Sequence, residues 1–195
     1  MSEERQYELE ESSGFEPWFV ATVCQPVLDR VPRSVHPNTI SLITSATCWL
    51  SAGLAATSIG MTSAQQALAM AGAALFQFLS GVGDCMDGMQ ARRTDRCSKL
   101  GEVMDHWLDT IHVPLVSLGI CAVLEVPPWA VVLVHAGNTM IFNSQLVLQN
   151  HIGRFVTTNG AEAQMTVALC YLIFGGVFYF VDRGHATVRM VVIAM

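Results

Sequence analysis

The chain has 195 residues, of which 52% are hydrophobic and only 13% are charged. Soluble domains carry about 25% charged residues, so the composition argues against a soluble enzyme and predicts an integral membrane protein. The formal net charge is −6, but six acidic residues crowd the first sixteen positions and the remainder is about neutral. This balance excludes the basic surface of a nucleic-acid-binding protein.

The chain is predicted to consist of an N-terminal tail and one domain, and the domain begins with an interfacial segment. Residues 1–14 read as an acidic disordered tail, and residues 15–195 as a single membrane-embedded domain. The stretch GFEPWFVATVCQPVLDRVP contains three prolines and is too broken to span a bilayer. We expect it to lie at the interface, with Trp18 and Phe19 at the headgroup level.

A membrane-spanning helix needs about 20 mostly apolar residues. The predicted fold class is therefore an all-α polytopic bundle with five full spans and an incomplete sixth. If the N-terminus is cytoplasmic, eight of the ten Lys and Arg residues fall on the cytoplasmic side, a strong positive-inside bias. The five spans lie at about 40–60, 65–86, 103–124, 128–149 and 162–181, and the sixth apolar run is 186–195.

Four aspartates flank the basic loop between the second and third spans. Asp84 and Asp87 are three apart, and Asp105 and Asp109 are four apart, so each pair shares one helical face. We expect the two spans to be neighbours whose pairs face each other. Clustered carboxylates at low dielectric need protonation or a counter-charge, and oxygen ligands favour Mg²⁺, Mn²⁺ or Ca²⁺.

A carboxylate site with two metal ions beside basic side chains suits phosphoryl transfer. The plainer alternative is that these acids merely end helices at the headgroups. Acidic residues within membrane spans are functional by default, which favours the site.

The segment DCMDGMQARRTDRCSKLGEVMDHWLD fits the pattern D-x2-D-G-x2-A-R-x8-G-x3-D-x3-D at every fixed position. It resembles the CDP-alcohol phosphotransferase family. DGMQARRT, LGEVMDH and GAEAQ are most similar to its choline and ethanolamine branch, and HPNTIS resembles a Pro-Asn element of the family. Met89 departs from this branch, where a lysine is expected, so head-group selectivity stays open. The chain also ends within the sixth helix, where that branch carries further helices.

The resemblance implies Mg²⁺ or Mn²⁺ as the cofactor. It implies transfer of phosphocholine or phosphoethanolamine from a CDP-alcohol to a diacylglycerol-like lipid, with release of CMP. The implied metal ligands are Asp84, Asp87, Asp105 and Asp109. The implied substrate-binding residues are Asn38, Gly88, Ala91, Arg92, Gly101 and Gln164, although helix capping also explains Gln164. Glu102, His106 and Asp109 are the candidates for accepting the proton of the attacking hydroxyl.

Three alternatives stay open. The substrates could be reversed, with CDP-diacylglycerol as the donor and a soluble alcohol as the acceptor. A divalent-cation carrier would use the carboxylates but not Gly88, Ala91 and Arg92 at their spacing. A catalytically inactive homologue is the third. We expect the active site to face the cytoplasm, in the endoplasmic reticulum or Golgi if the protein is eukaryotic, and a homodimer is left open.

Polar residues outside the aspartate motif have simpler interpretations. Arg93 and Arg96 are read as setting topology and contacting headgroups. His112 is read as a packed histidine beside Pro114, and Asn138 as an interhelical hydrogen-bonding residue. The six cysteines form no CxxC pair and are expected to be free.

Overall fold

The computed structural model describes residues 15–58, 60–152 and 160–180, and every element within these ranges is helical. The all-α fold class is therefore confirmed. The predicted acidic tail and the apolar run 186–195 lie outside the described residues. In chain order the elements are α1 (Phe15–Phe19), a π-helical turn (Val20–Cys24), α2 (Gln25–Leu28), α3 (Pro37–Thr57), α4 (Ser63–Arg93), α5 (Lys99–Val123), α6 (Pro128–Ile152) and α7 (Gly160–Phe180).

Polar caps explain where three of the long helices begin. His36 precedes α3, and its Nδ1 accepts a 3.2 Å hydrogen bond from the backbone N–H of Asn38. Thr62 opens α4 with a capping box. Ser98 precedes α5, and its Oγ accepts from the backbone N–H of Gly101 at 3.0 Å. The HPNTIS element is thus the capped first turn of α3.

The two helices α3 and α4 are long and apolar enough to cross a membrane. The later helices contain shorter apolar stretches, so the expectation of five full spans stays a prediction. These stretches are Trp107–Val123, Trp129–Ile141 and Ala161–Val177.

Helix α4 packs against α3 and α7, α3 also packs against α5, and α5 packs against α6. Helices α3 and α4 are antiparallel. Ser51, near the end of α3, donates its hydroxyl to the carbonyl of Ala73 at 2.7 Å, whereas Ser41, near the start of α3, reaches Asp87. The end of α4 that carries the aspartates therefore lies beside the start of α3.

Helix α5 runs in the same direction as α3. A Cβ added to Gly101, in the first turn of α5, would lie 3.6 Å from Asn38 Oδ1. A Cβ added to Gly119, far along α5, would lie 3.5 Å from Ala52 Cα, far along α3. Both helices therefore begin at the end of the bundle where α4 ends.

The expectation that the second and third spans pack directly side by side is wrong. Among the described residues α4 and α5 have little direct packing, because α3 packs against both of them. Small residues allow this arrangement. Gly83 of α4 lies against Thr44, and a Cβ there would collide with the threonine hydroxyl, while Gly119 brings α5 against α3.

The N-terminal segment is more deeply packed than its interfacial interpretation implies. Trp18 is 57% exposed, as expected for a headgroup-level side chain. Phe19 is only 2% exposed and packs with Leu28 against Val82 and Met86. The prediction for Phe19 is wrong because the short helices fold back onto α4 and bury it there.

Candidate active site

Asp87 lies at the contact between α4 and α3. Its side chain is buried, and its Oδ2 accepts a 2.7 Å hydrogen bond from the hydroxyl of Ser41. Gly83 lies one turn earlier on α4, where a side chain would collide with Thr44. The absence of a side chain at Gly83 therefore sets the close helix approach that lets Ser41 reach Asp87. Neither Ser41 nor Gly83 was singled out by the sequence analysis.

Asp84 lies at the contact between α4 and α7. Its Oδ2 accepts a 3.2 Å hydrogen bond from Gln164 Nε2, and Gln164 Oε1 accepts one from Gln77 Nε2 at 3.3 Å. Gln164 lies in the first turns of α7, so α7 begins at the same end as α3 and α5. The structure makes Gln164 a partner of Asp84, whereas the sequence pattern had offered substrate contact or helix capping.

Asp109 lies on α5, the helix that begins beside the start of α3. His112 Nδ1 lies 3.8 Å from Asp109 Oδ1, with 13% of the histidine side chain exposed. His112 is thus a packed histidine, as predicted, but it also adjoins an aspartate of the motif.

Three other candidates lie in the first half of α5, and only their backbone is described. Glu102, Asp105 and His106 follow Gly101 along this helix. Their side chains lie outside the described set, so their predicted roles stay predictions.

Two pairs of predicted substrate-binding residues are brought together. Asn38 and Gly101 face each other across the starts of α3 and α5. Gly88 lies beside Arg92, since a Cβ on the glycine would lie 3.4 Å from the arginine Nη1. The space beside Gly88 is therefore occupied by the exposed Arg92 guanidinium. Ala91, which immediately precedes Arg92 on α4, is half-buried, and its carbonyl accepts a hydrogen bond from the backbone N–H of Arg96.

Gln90 and Arg93 form a polar anchor at the end of α4 that the sequence analysis missed. Gln90 is fully buried, and Arg93 donates to its Oε1 at 2.6 Å. Both side chains also donate to backbone carbonyls of the segment that joins α2 to α3. The interpretation of Arg93 as a topology residue therefore leaves out its contacts. The only sequence signal was the spacing of three that puts both residues on one face.

Asn138 of α6 makes an interhelical hydrogen bond, as predicted. Its Nδ2 donates a 2.6 Å hydrogen bond to Ser117 Oγ across the contact between α5 and α6. Such bonds between helices are common where the surroundings are apolar.

The carboxylates fit a hard divalent cation by ligand type. Carboxylate oxygens are the ligands that Mg²⁺ and Mn²⁺ prefer, and the buried Asp87 needs a counter-charge if it is ionised. Among the described side chains, no three His, Cys, Asp or Glu residues lie close enough to hold one ion together. The side chain of the predicted ligand Asp105 lies outside the described set.

Comparison with known proteins agrees with the family resemblance of the aspartate motif. A family model described as CDP-alcohol phosphatidyltransferase matches residues 34–195. Three relatives are each called cholinephosphotransferase 1. The chain is 29% identical to that of Gallus gallus over 180 residues (88% of the chain and 52% of the relative), 31% identical to that of Danio rerio over 121 residues (54% and 31%), and 28% identical to that of Xenopus laevis over 158 residues (75% and 38%). The chain thus spans about half the length of these relatives, or less.

Proposed function

The chain belongs to the CDP-alcohol phosphatidyltransferase family, and from this premise we propose a specific reaction. The protein transfers phosphocholine or phosphoethanolamine from a CDP-alcohol to the hydroxyl of a diacylglycerol-like lipid, in phospholipid synthesis. The lipid oxygen attacks the distal phosphorus of the diphosphate. The bond from that phosphorus to the bridging oxygen breaks, CMP leaves, and the hydroxyl proton passes to a base on the protein.

One observation carries this proposal. Asp84 and Asp87 of α4 accept hydrogen bonds from Gln164 and Ser41, which lie in the first two turns of α7 and α3, so the first half of the aspartate motif lies at the end of the bundle where helices begin. The start of a helix carries partial positive charge and favours anions. Carboxylates for cations and helix starts for phosphate are together what a nucleotide diphosphate requires.

The cofactor in this proposal is Mg²⁺ or Mn²⁺, held by Asp84, Asp87, Asp105 and Asp109. When bound, such ions neutralise the diphosphate and the charge that develops on the leaving oxygen. Oxygen ligands on neighbouring turns of two helices suit this role. The rest of the reaction depends on side chains of the chain itself.

The remaining residues have supporting roles in this proposal. Ser41 and Gln164 donate hydrogen bonds to the carboxylates of Asp87 and Asp84 and would orient them. Asn38 and Gly101 would shape the nucleotide pocket, since they meet at two helix starts.

The charged groups complete the assignment. Arg92, which is exposed beside Gly88, would pair with a phosphate oxygen. The hydroxyl proton would go to His106, with Glu102 orienting that histidine and Asp109 acting mainly as a metal ligand.

In this proposal all five long helices would span the bilayer, with the end that carries the aspartates at the cytoplasmic surface of the endoplasmic reticulum or Golgi. The soluble donor then arrives from the cytosol, and the lipid acceptor arrives from the bilayer. This proposal is supported by α3 and α4, which are long and apolar enough to cross a membrane, and by the bias of basic residues.

A second candidate keeps the site and reverses the substrates. The description of the family model names phosphatidyl transfer, which would use CDP-diacylglycerol as the donor and a soluble alcohol as the acceptor. The names of the relatives favour the first candidate.

A single assay separates the two candidates. Membranes that contain the protein are given labelled CDP-choline, CDP-ethanolamine and CDP-diacylglycerol in parallel, with Asp87→Asn membranes as the control. We expect labelled phospholipid and CMP from one of the first two donors, lost in the variant. Product from CDP-diacylglycerol alone would establish the second candidate, and no product from any donor would refute both.

A further inference from the structure

The side chains of Gln90 and Arg93 hold the segment between α2 and α3 through its backbone. Arg93 donates to the carbonyls of Leu28 at 2.8 Å and Val31 at 2.6 Å. These carbonyls lie at and just beyond the end of α2, where few backbone donors remain for the last carbonyl groups. The Leu28 carbonyl also accepts the backbone N–H of Val31 at 2.9 Å, so Arg93 is its second donor. Arg93 therefore caps α2 from the neighbouring helix α4.

Gln90 holds the next part of the same segment. Its Nε2 donates to the carbonyls of Pro32 at 3.2 Å and Val35 at 2.7 Å, and its Oε1 accepts from Arg93 Nε at 2.6 Å. Gln90 is 0% exposed, so these partners replace the water that the amide would otherwise contact. The two side chains together make five hydrogen bonds, four of them to the segment Leu28–Val35.

The anchored segment leads directly to the candidate site. Val35 is followed by the cap residue His36, by Pro37 with its fixed backbone angle, and by Asn38. Asn38 lies against Gly101 at the start of α5. Few freely rotating backbone bonds separate the anchor from Asn38, so a shift of the segment would move this side chain.

We propose that Gln90 and Arg93 are positioning residues, which fix the first turn of α3 and thereby hold Asn38 against α5. This inference rests on the proposed function, in which Asn38 shapes the pocket for the nucleotide. Arg93 acts through backbone geometry and does not contact phosphate. The neighbouring Arg92 points its guanidinium over Gly88 and has the separate role of meeting the substrate.

The chemistry of the two side chains explains why these residue types are needed. A guanidinium carries several N–H donors in a rigid plane and can serve three acceptors in different directions. A lysine ammonium at the end of a flexible stem does not reproduce that fork. The Gln90 amide has both the donor needed by the carbonyls and the acceptor needed by Arg93, whereas Gln90→Glu keeps only the acceptor.

The first test measures transfer kinetics. Arg93→Lys and Gln90→Glu should each raise the KM for the CDP-alcohol about tenfold, as expected for the loss of a well-made hydrogen bond. The KM for the lipid acceptor and the Mg²⁺ dependence should change little. Arg96→Lys is the matched control, since Arg96 makes one exposed 3.3 Å bond to the carbonyl of Ser34.

A double variant separates positioning from general damage. If the anchor acts through Asn38, Arg93→Lys should add almost nothing to the KM of an Asn38→Ala enzyme, because contacts that work as a unit are not additive. Independent, additive losses in the double variant would overturn the proposal. So would a fall in kcat with an unchanged nucleotide KM.

A second measurement needs no catalytic activity, so it separates this inference from the proposed function. Cys24 is 0% exposed and belongs to the buried cluster against which Val31 and Val35 of the anchored segment pack. In a Cys97→Ser background, Arg93→Lys and Gln90→Glu should speed the labelling of Cys24 by a maleimide at least about tenfold, and Arg96→Lys should not. Unchanged labelling would refute the anchor even if transfer activity is found. Faster labelling without transfer activity would uphold the anchor and refute the proposed function.

Discussion

The hydroxyl of Ser41 donates a 2.7 Å hydrogen bond to Oδ2 of Asp87, and both side chains are buried. This bond joins α3 to the helix that carries the first half of the aspartate motif. It fixes which carboxylate oxygen faces α3 and leaves the other oxygen for a different partner. A carboxylate held in this way is organised before any ligand arrives.

Ser41→Ala should weaken both the fold and the site. A buried hydrogen bond to a charged group contributes about 1.5–3 kcal/mol, so we expect a lower unfolding temperature and a higher Mg²⁺ concentration for half-maximal activity. Ser45→Ala is the matched control, because Ser45 donates to the carbonyl of Ser41 within its own helix. The prediction is checked by thermal unfolding in detergent and by Mg²⁺ titration. Equal effects of the two variants would contradict it.

Removing the metal should abolish the reaction. We expect EDTA to stop transfer and added Mg²⁺ or Mn²⁺ to restore it, because the diphosphate needs counter-charge. Asp84→Asn and Asp87→Asn should each lower turnover by at least about a hundredfold, a typical effect for the loss of one electrostatic contact to the transition state. Asp95→Asn is the control, since Asp95 lies in the exposed turn after α4. Full activity in the presence of chelator would rule out the metal site.

The hydrogen-bonded glutamines Gln164 of α7 and Gln77 of α4 should affect Asp84 to different degrees. Gln164→Leu removes the 3.2 Å donor to Asp84, whereas Gln77→Leu removes only the partner of Gln164. We expect the first variant to raise the Mg²⁺ requirement several-fold and the second to raise it less. The comparison is made by Mg²⁺ titration of both proteins at equal membrane content. A larger effect of Gln77→Leu would reverse the proposed order of contacts.

The aspartate motif and the helices were predictable because their signals are local. An apolar run of about 20 residues predicts a helix, and the five predicted spans agree with α3 to α7 to within about three residues at most ends. The main exception is the end of α4, which continues to Arg93 rather than stopping near residue 86. That extension places the first half of the motif on one continuous helix.

The partners of the motif were not predictable, because sequence spacing does not say which helix faces meet. Gln164 is 80 residues from Asp84, and Ser41 is 46 residues from Asp87. The role of Gly83 was not predictable either, since a glycine in an apolar run does not indicate which side chain will lie against it. Only the packed bundle shows that Thr44 does.

Chemical labelling of Cys97 tests the orientation of the bundle. This cysteine is exposed in the loop between α4 and α5, whereas Cys24, Cys48 and Cys121 are buried. The bias of basic residues predicts that the loop is cytoplasmic. An impermeant maleimide should therefore label the protein when it is added to the cytoplasmic face of sealed vesicles but not when it reaches only the lumenal or external face, and Cys97→Ser should remove the label. Labelling from the opposite face alone would show that the predicted orientation is wrong and that a cytosolic donor could not reach the site by the proposed route.

The acceptor hydroxyl must lose its proton, and positioned acid–base catalysis of this kind contributes about 10²–10⁴-fold. The candidates on α5 are a histidine, His106, and a carboxylate, Asp109. A histidine base would place the acidic limb of the pH–rate profile near neutrality, whereas a carboxylate would place it at lower pH. We expect the limb near neutrality, with His106→Ala removing it together with most of the turnover while metal dependence persists.

His112 provides the control for this assignment, since it lies 3.8 Å from Asp109 and is the other histidine of α5. His112→Ala should keep the acidic limb and lower turnover only modestly, because a histidine that merely packs against Asp109 takes no proton from the substrate. Both variants are compared by pH profiles of kcat at saturating Mg²⁺. A His106→Ala enzyme with normal turnover and an unchanged profile would return the role to Asp109. Loss of the limb in His112→Ala alone would transfer it to the histidine beside that aspartate.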